Sequence, residues 1–246
     1  VTVKAFVIHL PRAEARRPQV ESLRLSLPLP VEVLEAVDGL RLSAEEIGRF
    51  AVRGLHRPTY PFPLSPNEVA CFLSHRAAWR RIVDDGLDAG LVVEDDAAVV
   101  GPDFADVMAA AVAGIEAEEF VRFPHRERHE PGTVVRVAGR LTVREPRLPA
   151  LGMVMQLVGR EAARRLLETS STFDRPVDSF VQMNWVHGAR VLSARPIVIR
   201  EIGDVLGGSV IHPLRVGIRH RLVREVRRPL IRLAVSIENR RRRKAA

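Results

Sequence analysis

Leu91-Val92-Val93-Glu94-Asp95-Asp96-Ala97 runs three apolar residues straight into three consecutive acids, after which apolar residues resume at Ala97 to Val100. Leu91 to Val93 reads as a short strand buried on both faces, the kind a parallel sheet contains. Ligands of open α/β sheets bind at the carboxyl ends of strands, and these acids stand at such an end. Side chains alternate along an extended segment, so Glu94 and Asp96 are expected on one side. Two like charges ~4 Å apart cost roughly 4 kcal/mol at an effective dielectric near 20. A divalent cation that takes oxygen ligands, Mg2+ or Mn2+, removes that cost, keeps some of its waters and bridges substrate phosphates. The other reading is a solvated acidic turn, and the stretch by itself leaves both open.

Outward from this stretch, strand and helix signals alternate. Lys4 to Leu10 reads as a strand, Ala13 to Leu27 as a helix stopped by Pro28 and Pro30, and Val31 to Val37 as a second strand closed by Asp38-Gly39. Ser43 to Phe50 suggests a short helix, and Arg57 to Pro66 is a proline-rich loop. Ser65-Pro66-Asn67-Glu68 is the strongest helix start: a serine N-cap, proline at the first helical position and a glutamate placed to close a capping box. That helix is expected to run to about Asp85 with Val69, Phe72, Leu73, Trp79 and Val83 as its apolar stripe. Further on, Phe104 to Val112, Arg160 to Glu168 and Val177 to Val186 read as helices. Phe120 to Phe123, Thr133 to Val137, Leu141 to Arg144, Met153 to Val158, Arg190 to Ser193 and Ile197 to Arg200 read as strands. The alternation predicts an α/β domain with a mainly parallel central sheet.

Composition bounds the function. The lone Cys71 excludes an intrachain disulfide and a metal site built on cysteines, and it suits a reducing compartment. No apolar run reaches the roughly 18–20 residues of a membrane-spanning helix. The N-terminal stretch alternates too strongly for a signal peptide and reads as the first strand. The net charge of +8 is uneven: residues 213–246 carry +10, and the rest is close to neutral at −2. We therefore expect a domain over 1–212 and a basic helical tail over 213–246.

Several stretches together resemble glycosyltransferase family 25, the bacterial lipooligosaccharide galactosyltransferases and their collagen-modifying relatives. They are Val7-Ile8-His9-Leu10 with Arg12 and Arg16; Glu35-Ala36-Val37-Asp38-Gly39; Leu64 to His75 with Trp79; Leu91 to Asp96; and Arg175-Pro176-Val177-Asp178. The chain departs from the family where His9 stands for an asparagine, where Asn67 and Ala70 stand for glycines, and where Gly152 to Gln156 lacks a tyrosine. The resemblance implies a GT-A-like fold, a UDP-sugar donor and inversion at the anomeric carbon. It also implies Mn2+ or Mg2+ between the acids and the donor diphosphate.

It assigns roles residue by residue. Asp96 is the expected metal ligand with Glu94 as helper to the ion or to the ribose, and His187 and His212 are candidates to complete the set. Asp95 touches the donor or points back into the protein. An inverting transfer needs a base for the acceptor hydroxyl; Asp178 matches the motif, and its other reading is a helix-cap acid. Arg12 and Arg16 suit donor phosphates, which guanidinium groups bind in a fork. Asp38 and Gly39 are expected near the nucleotide, and Ser74 and His75 near the donor, though a lone helical histidine is commonly a packing residue.

In the tail, Leu214, Ile218, Leu222, Val226, Leu230, Leu233 and Ile237 recur on one helical face among arginines, with Pro229 expected to split the helix in two. Such a helix suits anionic lipid. The other reading packs its apolar face on the body or on a partner. Nucleic acid is not expected as a partner, because the tail lacks aromatic residues and the body is near neutral. These readings combine into a cytoplasmic enzyme, peripheral on the inner membrane face, that moves a hexose, galactose favoured, onto a lipooligosaccharide or other glycan acceptor. The alternatives are a degenerate glycan- or lipid-binding protein of the same fold, and phosphoryl chemistry. The last is weakened by the lack of a Walker-type loop and of an aspartate nucleophile ending the first strand.

Overall fold

A computed structural model describes residues 1–206 and 218–243, with side chains in the last helix described from residue 229 to 241. The ten strands are β1 (Val3–His9), β2 (Val31–Glu35), β3 (Ala89–Glu94), β4 (Ala97–Val99), β5 (Glu119–Arg122), β6 (Gly132–Ala138), β7 (Leu141–Pro146), β8 (Met155–Gly159), β9 (Arg190–Arg195) and β10 (Ile199–Glu201). The helices are α1 (Arg17–Ser26), α2 (Ala44–Phe50), α3 (Pro66–Asp84), α4 (Phe104–Ala113), α5 (Arg160–Thr169), α6 (Val177–Val181), α7 (Asn184–His187) and α8 (Ile218–Arg243). A 3-10 turn, Glu14–Arg16, precedes α1.

Eight strands form one sheet in the order β2-β1-β3-β8-β5-β9-β7-β6. Six run in one sense, with only β8 and β7 reversed. The α/β architecture with a mainly parallel sheet is therefore as expected. The buried strand β3 pairs with β1 along one edge and β8 along the other, and helices cover both of its faces. Odd positions Val7, Leu91 and Val93 join the core under α1 and α4, while even positions Phe6, Ile8 and Val92 join the core under α3, α5 and α6. The predicted capping box of Ser65 with Glu68 forms and fixes the start of α3, and a second, Ser43 with Glu46, fixes that of α2.

Three local expectations change. The segment from Val177 to Val186 is two short helices, because Gln182 and Met183 leave the helical path and Gln182 donates to the Pro149 carbonyl. The three-residue strand β4 follows the acids and pairs with β10 to make a separate small sheet. Helix α8 is one element that contains Pro229, not two. Proline forfeits one hydrogen bond and costs about 3 kcal/mol. Packing beyond it offsets that: Val235 and Asn239 are buried on the body, and the Asn239 amide donates to the Gln182 carbonyl at 3.1 Å. Of the predicted stripe, Leu230, Leu233 and Ile237 stay exposed, and the side chains of Leu214, Ile218, Leu222 and Val226 lie outside those described. No described helix is long and apolar enough to cross a membrane.

Candidate functional site

The site begins where β3 ends. Alternation carries Glu94 to the α3 side, where its Oε1 lies 3.1 Å from Nε2 of the buried His75. Alternation then stops, because Asp95 and Asp96 form the turn between β3 and β4. The three acids consequently have three environments. Asp95 is buried, with Oδ1 2.5 Å from Arg16 Nη1 and Oδ2 2.8 Å from His9 Nδ1. Of the two readings for Asp95, the geometry fits the one pointing back into the protein. Asp96 Oδ2 lies 3.3 Å from the same Arg16 nitrogen, and its Oδ1 is buried without a hydrogen-bond partner. Burial, and then the charge of Glu94, push the Asp96 carboxyl up to about 7, against the opposing pull of Arg16.

Arg16 is thus the positive group among the acids. Its guanidinium is turned onto Asp95 and Asp96 from the turn preceding α1. Gly203 closes the other side, since a Cβ there would lie 3.0 Å from Asp96 Oδ2, and the Ile202 amide donates to the Asp96 carbonyl. An orphaned buried oxygen beside a second carboxylate is the donor set a hard divalent cation takes. Asp96 and Glu94 therefore fit the expected metal, Asp95 is already committed to Arg16 and His9, and His212 lies outside the described residues.

Around the acids is a cavity of about 160 Å³ lined by Arg12, Arg16, Gly39, Ser74, His75 and Asp96, among others. It shares Leu10, Arg12, Ala36 and Val37 with a neighbouring groove of about 310 Å³ that holds Asp38. Arg12 Nε donates to Asp38 Oδ2 at 2.8 Å, and this bond holds the Asp38 carboxyl below its usual range. Ser74 Oγ accepts from the Val37 amide at 2.9 Å and so ties the loop after β2 to α3. Gly39 is required where it stands, because a Cβ would lie 2.3 Å from Asn67 Oδ1. The structure therefore gathers Arg12, Arg16, Asp38, Gly39, Ser74, His75 and all three acids at one end of the sheet.

Asp178 lies in a second and larger cavity of about 530 Å³, which also reaches Glu94 and Cys71. It occupies the first turn of α6 after the cap residue Pro176, and its Oδ1 accepts from the Ser179 amide at 2.6 Å. Burial pushes its carboxyl up, against that hydrogen bond and the Arg122 charge. Tyr60 and Phe62 line the same cavity with rings edge-to-face at 5.5 Å. Buried Arg175 holds their loop by donating to the Pro58 carbonyl at 2.9 Å and lies 5.9 Å from the Tyr60 ring centre. Ile231, Arg232 and Val235 of α8 form another wall.

Sequence reasoning missed Tyr60, Phe62, Arg128 and Arg232 as lining residues. Tyr60 carried a signal, as the only tyrosine in the chain, set in a proline-rich loop. It also missed that a single thiol can join a mixed set: Cys71, His75 and Glu94 bring ligand atoms within 4.8 Å of one another. The exclusion holds for sites of several cysteines and not for this arrangement. His187 is spent structurally, with Nε2 3.1 Å from the Val181 carbonyl and Nδ1 accepting from the Ala189 amide.

Comparison with known proteins follows this geometry. Residues 2–141 match the family described as glycosyltransferase family 25 (LPS biosynthesis protein). Over 96 residues the chain is 34% identical to procollagen galactosyltransferase 1 of Danio rerio, covering 38% of this chain and 16% of that protein. It is also 34% identical over 96 residues to inactive glycosyltransferase 25 family member 3 of Mus musculus, with the same 38% and 16% coverage. The match thus spans about one sixth of these relatives' length. Among solved structures, a glycosyltransferase involved in glycosylation of the major capsid of PBCV-1 aligns at TM-score 0.37 and 11% identity, covering 70% of this chain and 66% of that one.

Proposed function

This chain belongs to glycosyltransferase family 25, and from that premise we propose that it transfers a hexose, galactose favoured, from a UDP-sugar to a glycan acceptor with inversion. The observation that carries this reading is that two cavities meet at Glu94, one holding Asp96 and the other Asp178. Inverting transfer needs such a pair of spaces, with the donor on one side of the anomeric carbon and the attacking hydroxyl on the other.

In this reading Asp96 and Glu94 hold Mn2+ or Mg2+, which when bound neutralises the donor diphosphate. Arg12 and Arg16 face the phosphates, Arg16 also keeping Asp95 and Asp96 in place. Asp38 and Gly39 border the nucleoside, and Ser74 and His75 the donor side of α3. Asp178 takes the proton of the acceptor hydroxyl as it attacks. Its raised carboxyl is better matched to that task near neutral pH than an ordinary aspartate. Tyr60 and Phe62 offer aromatic faces to the acceptor sugar.

The acceptor is proposed to be lipooligosaccharide or another lipid-linked glycan at the cytoplasmic membrane face. Residues 1–212 would perform the transfer and the tail, 213–246, would dock on anionic lipid. The exposure of Leu230 and Leu233 on α8, on either side of Arg232, supports this. The boundary itself falls outside the described residues.

A panel of sugar nucleotides with Mn2+ and with Mg2+ tests the proposal. UDP release and a cation-dependent heat-shift by a UDP-sugar are expected. Stabilisation by UDP-sugar without release in the presence of any glycan acceptor would favour the glycan- or lipid-binding alternative. No shift with any nucleotide would refute the donor assignment.

A further inference from the structure

The wall shared by the two cavities holds a thiol, that of Cys71, to which the proposed transfer gives no role. Cys71 and His75 lie one turn apart on α3, which places them on the same helical face. Glu94 meets them from the end of β3. One ligand atom from each of the three lies within 4.8 Å of the others. His75 is 1% exposed and its Nδ1 is buried without a partner. A proton on Nε2, used toward Glu94, leaves Nδ1 with a lone pair that nothing in the core occupies. A buried imidazole nitrogen left in this state is costly unless something binds it.

We propose that Cys71, His75 and Glu94 form a binding site for a thiophilic divalent cation of the zinc class, separate from the carboxylate pair that suits Mg2+ or Mn2+. One sulfur, one imidazole nitrogen and one carboxylate oxygen are a zinc-type donor set, and three protein ligands leave a fourth position for water or ligand. Hard cations prefer oxygen and do not select a thiolate. Cys71 and Glu94 both border the two cavities, so the fourth position opens onto solvent-reachable space. Burial, and then the charges of Glu94, Asp178, Asp96 and Glu68, push the Cys71 thiol up. Their field draws a cation to this point, and the cation in turn favours the thiolate. Glu94, the partly exposed member, is the one free to rotate toward bonds of ~2.0–2.3 Å. Because Glu94 also belongs to the carboxylate pair, occupancy of the two sites competes for it.

The probe is Co2+ added to the full chain in chelator-free reducing buffer. One equivalent is expected to produce a thiolate-to-cobalt charge-transfer band with the strong visible bands of a tetrahedral ion, and one equivalent of Zn2+ should bleach both. Cys71→Ser should remove the charge-transfer band. If that variant does not fold, the wild-type protein still decides, because binding without the band overturns the proposal. An independent measurement uses the chain's single cysteine. Alkylation of Cys71 should slow at least about tenfold with Zn2+ and remain unchanged with Mg2+. Equal rates with and without Zn2+ would overturn the site, whatever the outcome of the sugar-nucleotide panel.

Discussion

The two cavities proposed for the donor and for the acceptor, the donor side and the acceptor side, share Glu94, yet they are built in different ways. The donor side stands on consecutive strand ends: β1 supplies His9, β3 supplies Glu94, and the turn after β3 supplies Asp95 and Asp96. Its polar groups are bound to one another, with Arg16 joining Asp95 and Asp96, and Arg12 joining Asp38. The acceptor side is assembled from segments far apart in the chain, namely the loop holding Tyr60 and Phe62, the start of α6, and one face of α8. One cavity is preorganised by the sheet; the other depends on loops and a terminal helix. Catalysis benefits when charges are fixed before substrate arrives, while acceptor choice is open to change in loops that the scaffold does not constrain.

If this division is correct, substitutions on the two sides have separable effects. Asp178→Asn is expected to lower transfer roughly 10²–10⁴-fold, the usual contribution of a general base, while donor affinity measured by calorimetry stays within about twofold. Full turnover in this variant would remove Asp178 from the chemistry and break the comparison. Asp96→Asn should do the converse. Cation-dependent donor affinity should fall by at least about 10–100-fold, a range seen even for partners behind the ligands, while cation-independent nucleotide binding changes less. An Asp96→Asn protein whose donor affinity still responds fully to Mn2+ would place the cation elsewhere.

The sequence disclosed the donor side because its signals are local. Three apolar residues ending in acids marked the end of β3 and Ser65 with Glu68 marked the start of α3, while it was the family resemblance that put Ser74 and His75 near the donor. What it hid depended on long-range pairing. Alternation placed Glu94 correctly but did not extend to Asp96, because the chain turns there to let Ala97–Val99 pair with Ile199–Glu201, about a hundred residues away. The burial of Asp95 depends on His9 and Arg16, which no spacing rule connects to it. On the acceptor side, the loop that brings Tyr60 to the cavity is bound by Arg175, more than a hundred residues away. The tail showed its apolar periodicity plainly, yet the described members of that stripe stay exposed. Val235 and Asn239 are buried, and their selection over Leu233 and Ile237 follows from the shape of the body near Gln182.

That choice of face supplies the next test. The double substitution Leu230→Ser with Leu233→Ser leaves the body contacts of Val235 and Asn239 in place, so the acceptor-side wall is kept. Each leucine that enters lipid contributes about 1.5–3 kcal/mol. Flotation with anionic vesicles should therefore weaken by roughly tenfold or more, with the fold unchanged by circular dichroism. Undiminished flotation would leave the arginines as the whole of any membrane attraction, or would indicate that this patch serves a protein partner.

The smallest effect distinguishes the two sides by the sign of their response to pH. On the acceptor side, burial holds His187 down at about 4, and its ring contacts Phe180 of α6 at 5.6 Å between centres. Its folded value lies below the unfolded one, near 6.5, so the unfolded chain binds the extra proton first. The stability it contributes is present above 6.5 and is lost as pH falls toward 4. On the donor side, Asp96 is raised from 3.8 to about 7, so the folded chain binds the extra proton first, and stability is lost as pH rises through that window. Between about 4 and 6.5 the two contributions oppose each other at one proton each, a slope of about 1.4 kcal/mol per pH unit apiece. In cation-free protein, Asp96→Asn should therefore tilt stability upward with pH relative to wild type over this range, and His187→Gln should tilt it downward. Urea denaturation at three pH values suffices to read both slopes. No tilt in one variant would mean that its group titrates like an ordinary exposed side chain, and a reversed tilt that its shift runs the other way; either result would end the contrast between a crowded acidic donor side and a neutral, buried acceptor-side support at that residue.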